Sequence, residues 1–161
     1  MILHNIRSTH NVGAIFRTAE GFGTKRIICS GYTPHPKTPH DSRLPHQIEK
    51  ISSQIHKTAL GSELLVPFEY CETPPFEQLR LDGYRIAALE QDNNSIRISS
   101  YTPPSRLALL LGEEVHGIIQ EHRQLCDDII EIPMFGEKES FNVSVATGIA
   151  LYALVAANTT T

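Results

Sequence analysis

A chain of 161 residues, 40% hydrophobic and 20% charged, has the composition of a single globular domain over residues 1–161. Its three cysteines form no CxxC pair, which argues against a disulfide framework and a thiolate zinc site and favours a reducing cytoplasm. The N-terminus lacks the pattern of a secretory signal, and no apolar run reaches the length of a membrane span.

The net charge of −4 is unevenly distributed along the chain. Residues 1–60 contain eight Lys or Arg and three Asp or Glu, a net of +5, whereas residues 61–161 have six and fifteen, a net of −9. The overall acidity argues against non-specific adhesion to nucleic acid, but a polyanion that contacts the first third alone meets a favourable field. Asymmetry along a sequence need not be asymmetry in space, so both interpretations stand.

Apolar, β-branched segments alternate with helical patterns along the chain. The predicted strands are residues 1–4, 26–30, 65–71, 84–89, 107–111 and 128–132. The predicted helices are residues 11–23, 48–60, 75–81, 118–125 and 142–157. This alternation predicts an α/β fold with a mainly parallel sheet flanked by helices. Ligands bind beyond the carboxyl ends of the strands in such sheets, so the residues that follow each strand are candidates for a functional site.

The stretch NVGAIFRTAEGFG, residues 11–23, has apolar residues at the spacing of a helix with one buried face. Asn11 is a natural N-cap for this helix. Arg17 projects away from the apolar face, on the side of Gly13 and Glu20, and Gly13 leaves room beside the guanidinium. Taken alone, the stretch favours a solvated Arg17 that pairs with Glu20.

Residues 31–47 contain four prolines and three histidines and have no helical or strand period. They predict a long loop, and loops of this length in compact domains are often functional. His35, His40 and His46, together with His56, match no familiar pattern of metal ligands, so no metal site is expected. A solvated, partly basic contact loop is the favoured interpretation.

A second candidate segment follows the predicted strand 107–111, in the sequence LALLLGEEVHGI. Gly112 would let a backbone approach a ligand closely. Two acidic residues come next, and for Glu113 we expect a charge in the first turn of a helix that complements the helix dipole. Glu114 remains a candidate for the site.

The third candidate segment leads from the last strand into the predicted helix 142–157. Ser140 or Asn142 could simply cap this helix. The helix is apolar nearly all round and must therefore be covered on more than one side. We expect it to lie in a homodimer interface.

These three segments, in this order, resemble the motifs of the SpoU/TrmH family of RNA ribose 2′-O-methyltransferases, within the SPOUT superfamily. NVGAIFRTAEGFG resembles motif 1, LLLGEEVHGI motif 2 and IPMFGEKESFNVSVATGIALY motif 3, so the resemblance covers essentially the whole chain. Phe141 stands where the family usually has Leu or Met, and Glu113 where a small or amide residue is common. The chain begins directly at the strand of motif 1, without the N-terminal RNA-binding extension of some relatives. No Rossmann, P-loop or nucleophile-elbow motif competes with this interpretation.

The resemblance implies an α/β fold with a deep trefoil knot in its C-terminal part, S-adenosylmethionine bound at the knot, and an active site shared across a homodimer. The implied cofactor-binding residues are Leu89, Gly112, Ile132 and Ser140. The implied catalytic residues are Arg17, Asn11, Glu114, Ser140 and Asn142. No metal ion is implied.

The expected activity is methylation of a ribose 2′-hydroxyl of RNA, with tRNA favoured over rRNA because a compact target suits the basic first third. Arg17 is a poor base, since a guanidinium has a pKa above about 12, but a good clamp for a phosphate and a developing alkoxide. The family's mechanism, in which this arginine takes the proton, stays open. Glu114 would orient Asn11 or hold substrate. Two rivals remain, a SPOUT-like RNA-binding protein without transferase activity and a metal-dependent hydrolase that uses the histidine loop.

Overall fold

A computed structural model describes residues 1–159 of the chain. The chain divides into two compact units, Met1–Pro74 and Pro75–Thr161. Within each unit the paired strands run parallel, and helices alternate with them along the chain. The predicted α/β class with a mainly parallel sheet is therefore confirmed. None of the helices in residues 1–159 combines the length and the apolarity that crossing a membrane requires.

Unit 1 contains three strands and two α-helices. The strands are β1 (Ile2–His4), β2 (Ile27–Ser30) and β3 (Phe68–Cys71). They pair in the order β3-β2-β1, with β2 in the centre. The helices are α1 (Thr9–Gly21) and α2 (Pro45–Ala59), and a 3-10 turn follows at Ser62–Leu64. Helix α2 begins three residues before the predicted start because Pro45, which needs no N–H partner, is well suited to a first helical position.

Helix α1 packs its predicted apolar face into the core of unit 1. Val12, Ile15, Phe16 and Ala19 are all fully buried. The Phe16 ring meets the ring of Phe68 edge to face, with centroids 5.6 Å apart. Each large apolar side chain buried in this way stabilises the fold by about 1.5–3 kcal/mol. The 3.6-residue periodicity of the sequence thus predicted the correct face.

The N-terminus of α1 differs from the prediction. Ser8, with φ −88° and ψ 119°, is the N-cap, and its side chain accepts a hydrogen bond from the backbone N–H of Asn11 at 3.3 Å. Asn11 lies inside the first turn, so its assignment as the N-cap was wrong. A serine three residues before an asparagine offers the same capping chemistry, and the backbone conformation of Ser8 decides between them.

Gly13 serves the contact between α1 and α2. A Cβ atom at this position would clash with the hydroxyl of Thr58 and with the backbone carbonyl of Ile55. The Thr58 hydroxyl also donates to the carbonyl oxygen of His10, at 2.9 Å. The expectation that Gly13 leaves space beside Arg17 was therefore wrong, because helix α2 occupies the space that the missing side chain leaves.

The loop between β2 and α2 is held by one arginine. The Nε atom of Arg43 donates to Asp41 at 2.8 Å, and its terminal nitrogens donate to the carbonyl oxygens of His35 and Pro36 at 3.1 and 3.2 Å. The Arg43 guanidinium holds the pKa of Asp41 well below its usual range. The His35 ring stacks on Tyr70 with centroids 4.5 Å apart. The contacts of Arg43 and the stacking of His35 on Tyr70 thus hold the predicted loop in a defined conformation.

Unit 2, described as far as residue 159, contains four strands and three α-helices there. The strands are β4 (Arg85–Leu89), β5 (Ile96–Arg97), β6 (Leu107–Leu111) and β7 (Asp128–Glu131). They pair in the order β6-β4-β7-β5. The helices are α3 (Phe76–Leu81), α4 (Gln120–Gln124) and α5 (Val143–Thr159), with a 3-10 turn at Ile98–Ser100. Strand β5 was not predicted, since two residues show no strand periodicity.

Helix α5 is apolar on its exposed side as well as on its buried side. Thr147, Ala150 and Leu154 are buried within unit 2. Val145, Ile149 and Tyr152, spaced along one exposed stripe, keep 50%, 36% and 67% of their surface. The prediction of a helix that is apolar nearly all round is confirmed.

The contact at Gly13 generates a testable prediction. We expect Gly13→Ala to destabilise the protein by about 1–3 kcal/mol, because the new methyl group must push α2 away from α1. The matched control is Gly21→Ala in the same helix, where a Cβ would meet no atom within 4 Å. The control should leave stability unchanged or raise it by up to about 1 kcal/mol through helix propensity. Chemical denaturation of both variants measures the difference, and a Gly13→Ala protein as stable as the control would contradict this account.

Candidate functional site

A cavity of about 330 Å³ lies in unit 2, beyond the carboxyl ends of β4, β6 and β7. Its volume falls in the range of small-molecule sites. All four residues predicted to bind the cofactor line it, among them Ser140, which was also predicted to be catalytic, and so does the predicted catalytic residue Glu114. These residues are Leu89, Gly112, Ile132, Ser140 and Glu114. The structure therefore brings together five side chains or backbone positions from three separate segments of the sequence.

The segment after β6 folds into a tight turn. The backbone N–H of Glu113 donates to the carbonyl of Gly117 at 3.2 Å, and the N–H of Gly117 donates back to Glu113 at 2.9 Å. The Glu113 carboxylate, which is buried, accepts the backbone N–H of His116 at 2.8 Å. No helix begins here, so the assignment of Glu113 to a helix dipole was wrong. Its carboxylate closes a turn instead.

Gly112 is required by this turn. A Cβ atom there would lie 2.6 Å from both the carbonyl carbon of Gly117 and the Cγ1 atom of Ile118. Such distances are far inside van der Waals contact, so no other residue fits without moving the turn. The close contact that the structure shows at Gly112 is with the chain's own Gly117 and Ile118, and the approach of a ligand to Gly112 stays a prediction.

Two further residues, Glu90 and Gln91, line the cavity at the end of β4 and were missed in the sequence. The Glu90 carboxylate accepts the backbone N–H of Ile118 at 2.8 Å. The Gln91 side chain donates to the carbonyl oxygen of Glu139 at 2.6 Å. The available signal was an acidic and an amide residue directly after a buried strand, at the edge where ligands bind.

The segment between β7 and α5 ends in a capped helix. Asn142 accepts the backbone N–H of Ser144 at 2.9 Å and the Ser144 hydroxyl at 2.7 Å through its Oδ1 atom. This confirms the simpler alternative for Asn142, that of an N-cap. Ser140 is exposed and lines the cavity two residues earlier. The two polar residues of this segment therefore have different surroundings.

The cavity is acidic and partly apolar. Its charged lining consists of glutamates, namely Glu90, Glu113, Glu114 and Glu139. Its apolar lining comes from Leu89, Leu111, Val115, Ile132, Phe141, Val143 and Ala146. Within residues 1–159, no lysine or arginine lines the cavity. Such a lining favours a ligand that carries a positive charge and has a large apolar surface.

Arg17 and Asn11 lie on α1 in unit 1. Arg17 is exposed on the side of the helix away from the buried face. Within the described part of the chain no carboxylate forms an ion pair with Arg17, so the pair with Glu20 that the simpler interpretation required is not formed. Asn11 is half-buried in the first turn.

The four histidines of unit 1 that were weighed as metal ligands have different surroundings. His35 is buried against Tyr70, and burial lowers the pKa of its ring. His56 pairs with Glu63, with 2.6 Å between the Nδ1 and Oε1 atoms. His40 and His46 are exposed. Among residues 1–159, no group of three or more His, Cys, Asp or Glu side chains is arranged to hold a metal ion.

Comparison with known proteins identifies relatives over nearly the whole chain. A 23S rRNA (guanosine-2′-O-)-methyltransferase, RlmB, of Nitrosomonas europaea is 31% identical over 94% of this chain and 54% of its own. A tRNA (guanosine(18)-2′-O)-methyltransferase of Borreliella burgdorferi is 27% identical over 96% of this chain and 64% of its own. The chain thus spans less than two thirds of the length of these relatives.

Solved structures show the same fold. An AdoMet-bound rRNA methyltransferase from Sinorhizobium meliloti superposes with a TM-score of 0.78 at 24% identity, covering 95% of this chain and 54% of that one. The A. aeolicus TrmH/SpoU tRNA modifying enzyme gives a TM-score of 0.78 at 25% identity, covering 99% and 74%. The model of the SpoU rRNA Methylase family matches residues 1–152. The chain therefore belongs to the SpoU rRNA methylase family.

Proposed function

We propose that the chain is an S-adenosylmethionine-dependent methyltransferase that methylates a ribose 2′-hydroxyl of RNA, acting as one methyltransferase domain in the cytoplasm. The observation that carries the proposal is the acidic cavity at the carboxyl ends of β4, β6 and β7. Four positions inferred from the family motifs (Leu89, Gly112, Ile132 and Ser140) line this one cavity. Membership of the SpoU family supports the reaction class.

The lining of the cavity fits the proposed cofactor. Leu89, Leu111 and Ile132 offer apolar surface to an adenine ring, and the exposed hydroxyl of Ser140 offers a hydrogen bond. Four glutamates line the cavity, and their charge favours a cationic ligand such as a sulfonium. When bound, S-adenosylmethionine supplies an electrophilic methyl group. We also propose that this part of the chain forms the deep trefoil knot that the family resemblance implies.

Arg17 is assigned the role of clamp. Its side chain is exposed and forms no ion pair with the part of the chain that the structure describes, so its planar fork is available for a phosphate. A guanidinium beside the reacting ribose stabilises the negative charge that develops on the 2′-oxygen. Glu114, Ser140 and Asn142 would hold the reacting nucleotide. Asn11 is the fifth residue that the resemblance assigns to catalysis.

A second copy of the chain is the proposed partner along α5. The exposed stripe of Val145, Ile149 and Tyr152 is apolar, and a stripe of this kind on a helix that is apolar elsewhere suits an interface between protomers. The RNA is proposed to be a tRNA, and the basic residues concentrated in the first 60 residues favour contact with its phosphates. Relatives that act on rRNA and on tRNA both exist.

The proposed activity is tested with the purified protein, methyl-labelled S-adenosylmethionine, and either tRNA or rRNA. The labelled RNA is digested to nucleosides, which are separated by chromatography and identified by mass spectrometry. We expect label in a 2′-O-methylnucleoside, and more of it with tRNA. Label on a base would contradict the reaction class. RNA binding without transfer of label would favour the alternative of an RNA-binding protein that has lost transferase activity.

Arg17→Lys tests the clamp. Lysine keeps the charge but loses the bidentate fork, so we expect the turnover rate to fall at least about 100-fold, with the affinity for S-adenosylmethionine little changed. Arg26→Lys is the matched control, since Arg26 is an exposed arginine of the same unit that pairs with Glu69 on the surface. Single-turnover kinetics and calorimetry measure the two quantities. Near-normal turnover of the Arg17→Lys variant would refute the role of clamp.

Tyr152→Glu tests the proposed dimer. A charge at the C-terminal end of the apolar stripe should convert dimers to monomers and abolish methyl transfer, without unfolding the protein, because Tyr152 is exposed within one chain. Leu64→Glu, at a residue of unit 1 that is 83% exposed, is the control. Sedimentation velocity gives the assembly state. A Tyr152→Glu protein that sediments like the wild type would rule out this interface.

A further inference from the structure

Glu90 and Gln91 follow Leu89 directly at the carboxyl end of β4, and beyond the charge that Glu90 adds to the cavity the proposed function gives neither side chain a role. Both line the cavity. Their side chains bond to two different segments, one after β6 and one after β7. The end of β4 therefore ties together the other two walls of the same cavity.

The Glu90 carboxylate is engaged through both oxygens. Its Oε2 atom accepts the backbone N–H of Ile118 at 2.8 Å, and its Oε1 atom accepts the N–H of Gln91 at 3.0 Å. Gly117, at φ +65°, has no side chain, and a Cβ atom there would clash with the Glu90 Oε2 atom. The carboxylate thus fills the place of a side chain at position 117 and fixes the turn that contains Gly112.

The Gln91 amide engages the opposite wall. Its Nε2 atom donates to the backbone carbonyl of Glu139 at 2.6 Å. Glu139 directly precedes Ser140, and the stretch between β7 and α5 contains no regular secondary structure of its own. The hydrogen bond from Gln91 therefore sets where Ser140 stands relative to the end of β4.

We propose that Glu90 and Gln91 are positioning residues, which set the affinity for the cofactor by holding the Gly117–Ile118 turn and the Glu139–Ser140 segment in place. The inference rests on the proposed function, since it assumes that the cavity holds S-adenosylmethionine. At metal sites, removal of the groups that orient the metal's ligands typically changes affinity tenfold to a hundredfold, and we take the same range for this site. Walls already fixed by such bonds need no ordering when the ligand binds, which preserves affinity.

The first contact to test is the hydrogen bond from the Ile118 N–H to the Glu90 carboxylate. The variants are Glu90→Ala and Glu90→Gln, and the control is Glu77→Ala, at an exposed acid on α3. Calorimetry gives the Kd for S-adenosylmethionine, and amide hydrogen exchange reports on the N–H of Ile118. We expect Glu90→Ala to raise the Kd about tenfold to a hundredfold and to speed exchange at Ile118, with the KM for RNA unchanged. Glu90→Gln keeps one of the two acceptor oxygens and should give intermediate values.

Gly117→Ala approaches the same contact from the other side. The added methyl group should displace the carboxylate, so the variant is expected to show the same rise in Kd as Glu90→Ala. In a chain that already carries Glu90→Ala, the second change should raise the Kd less than it does alone, because the clash with the carboxylate is gone and only the backbone strain at φ +65° remains. Independent, multiplicative effects of the two substitutions would contradict a shared tie.

Gln91→Ala tests the second tie, with Asn93→Ala, an exposed residue of the same loop, as its control. We expect a rise in Kd of about tenfold for Gln91→Ala and none for Asn93→Ala. An unchanged Kd in Gln91→Ala would remove Gln91 from the proposal.

The outcomes separate the inference from the proposed function. Wild-type protein that binds no S-adenosylmethionine contradicts the function and, with it, the inference. Wild-type binding together with an unchanged Kd in Glu90→Ala contradicts the positioning role alone. A raised Kd with unaltered exchange at Ile118 would also overturn it, because Glu90 would then act by direct contact.

Discussion

Strand β4 is the element on which the cavity depends. It pairs with β6 on one side, where Ala88 faces Leu110, and with β7 on the other, where Leu89 faces Ile130. All three strands run parallel, so their carboxyl ends emerge side by side at one edge. Segments from three distant parts of the sequence leave the strands there and enclose the cavity. A shift of this register would separate the walls from one another.

The polar groups at this edge have two tasks. A backbone that leaves a strand must find partners for its N–H and carbonyl groups, and the carboxylates of Glu90 and Glu113 accept N–H groups of the turn after β6. The same carboxylates, with Glu114 and Glu139, make the cavity acidic. That field suits a sulfonium cation and repels RNA phosphates, whereas the basic charge of the chain is concentrated in residues 1–60. In the proposed reaction the acidic cavity therefore suits the cationic cofactor, and the basic residues of the first 60 positions suit the phosphates of the RNA.

Sequence patterns correctly predicted the features that depend on local periodicity and on the order of strands and helices. The buried face of α1 follows from a 3.6-residue repeat, and the cavity position follows from the rule that ligands bind beyond parallel strand ends. Gly13 could not be interpreted from its own helix, because its neighbours Ile55 and Thr58 belong to α2. Capping by Ser8 instead of Asn11 depends on a backbone angle that no residue type dictates.

Within the candidate site, the family motifs identified residues that the structure brings together. They did not predict the hydrogen bonds that hold the surrounding segments in place. Glu90 bonds to a residue 28 positions away, and Gln91 to one 48 positions away. No local pattern encodes such separations. Glu113 was misassigned for a different reason. Its partners His116 and Gly117 are only three and four residues away, but an acidic residue after a glycine is compatible with a helix start as well as with the tight turn that forms.

A crystal structure of the protein with S-adenosylhomocysteine, the product left after methyl transfer, tests the central claim most directly. We expect the ligand in the cavity of unit 2, in contact with Leu89, Gly112 and Ile132. An empty cavity at saturating ligand, or a ligand bound elsewhere on the chain, would contradict it.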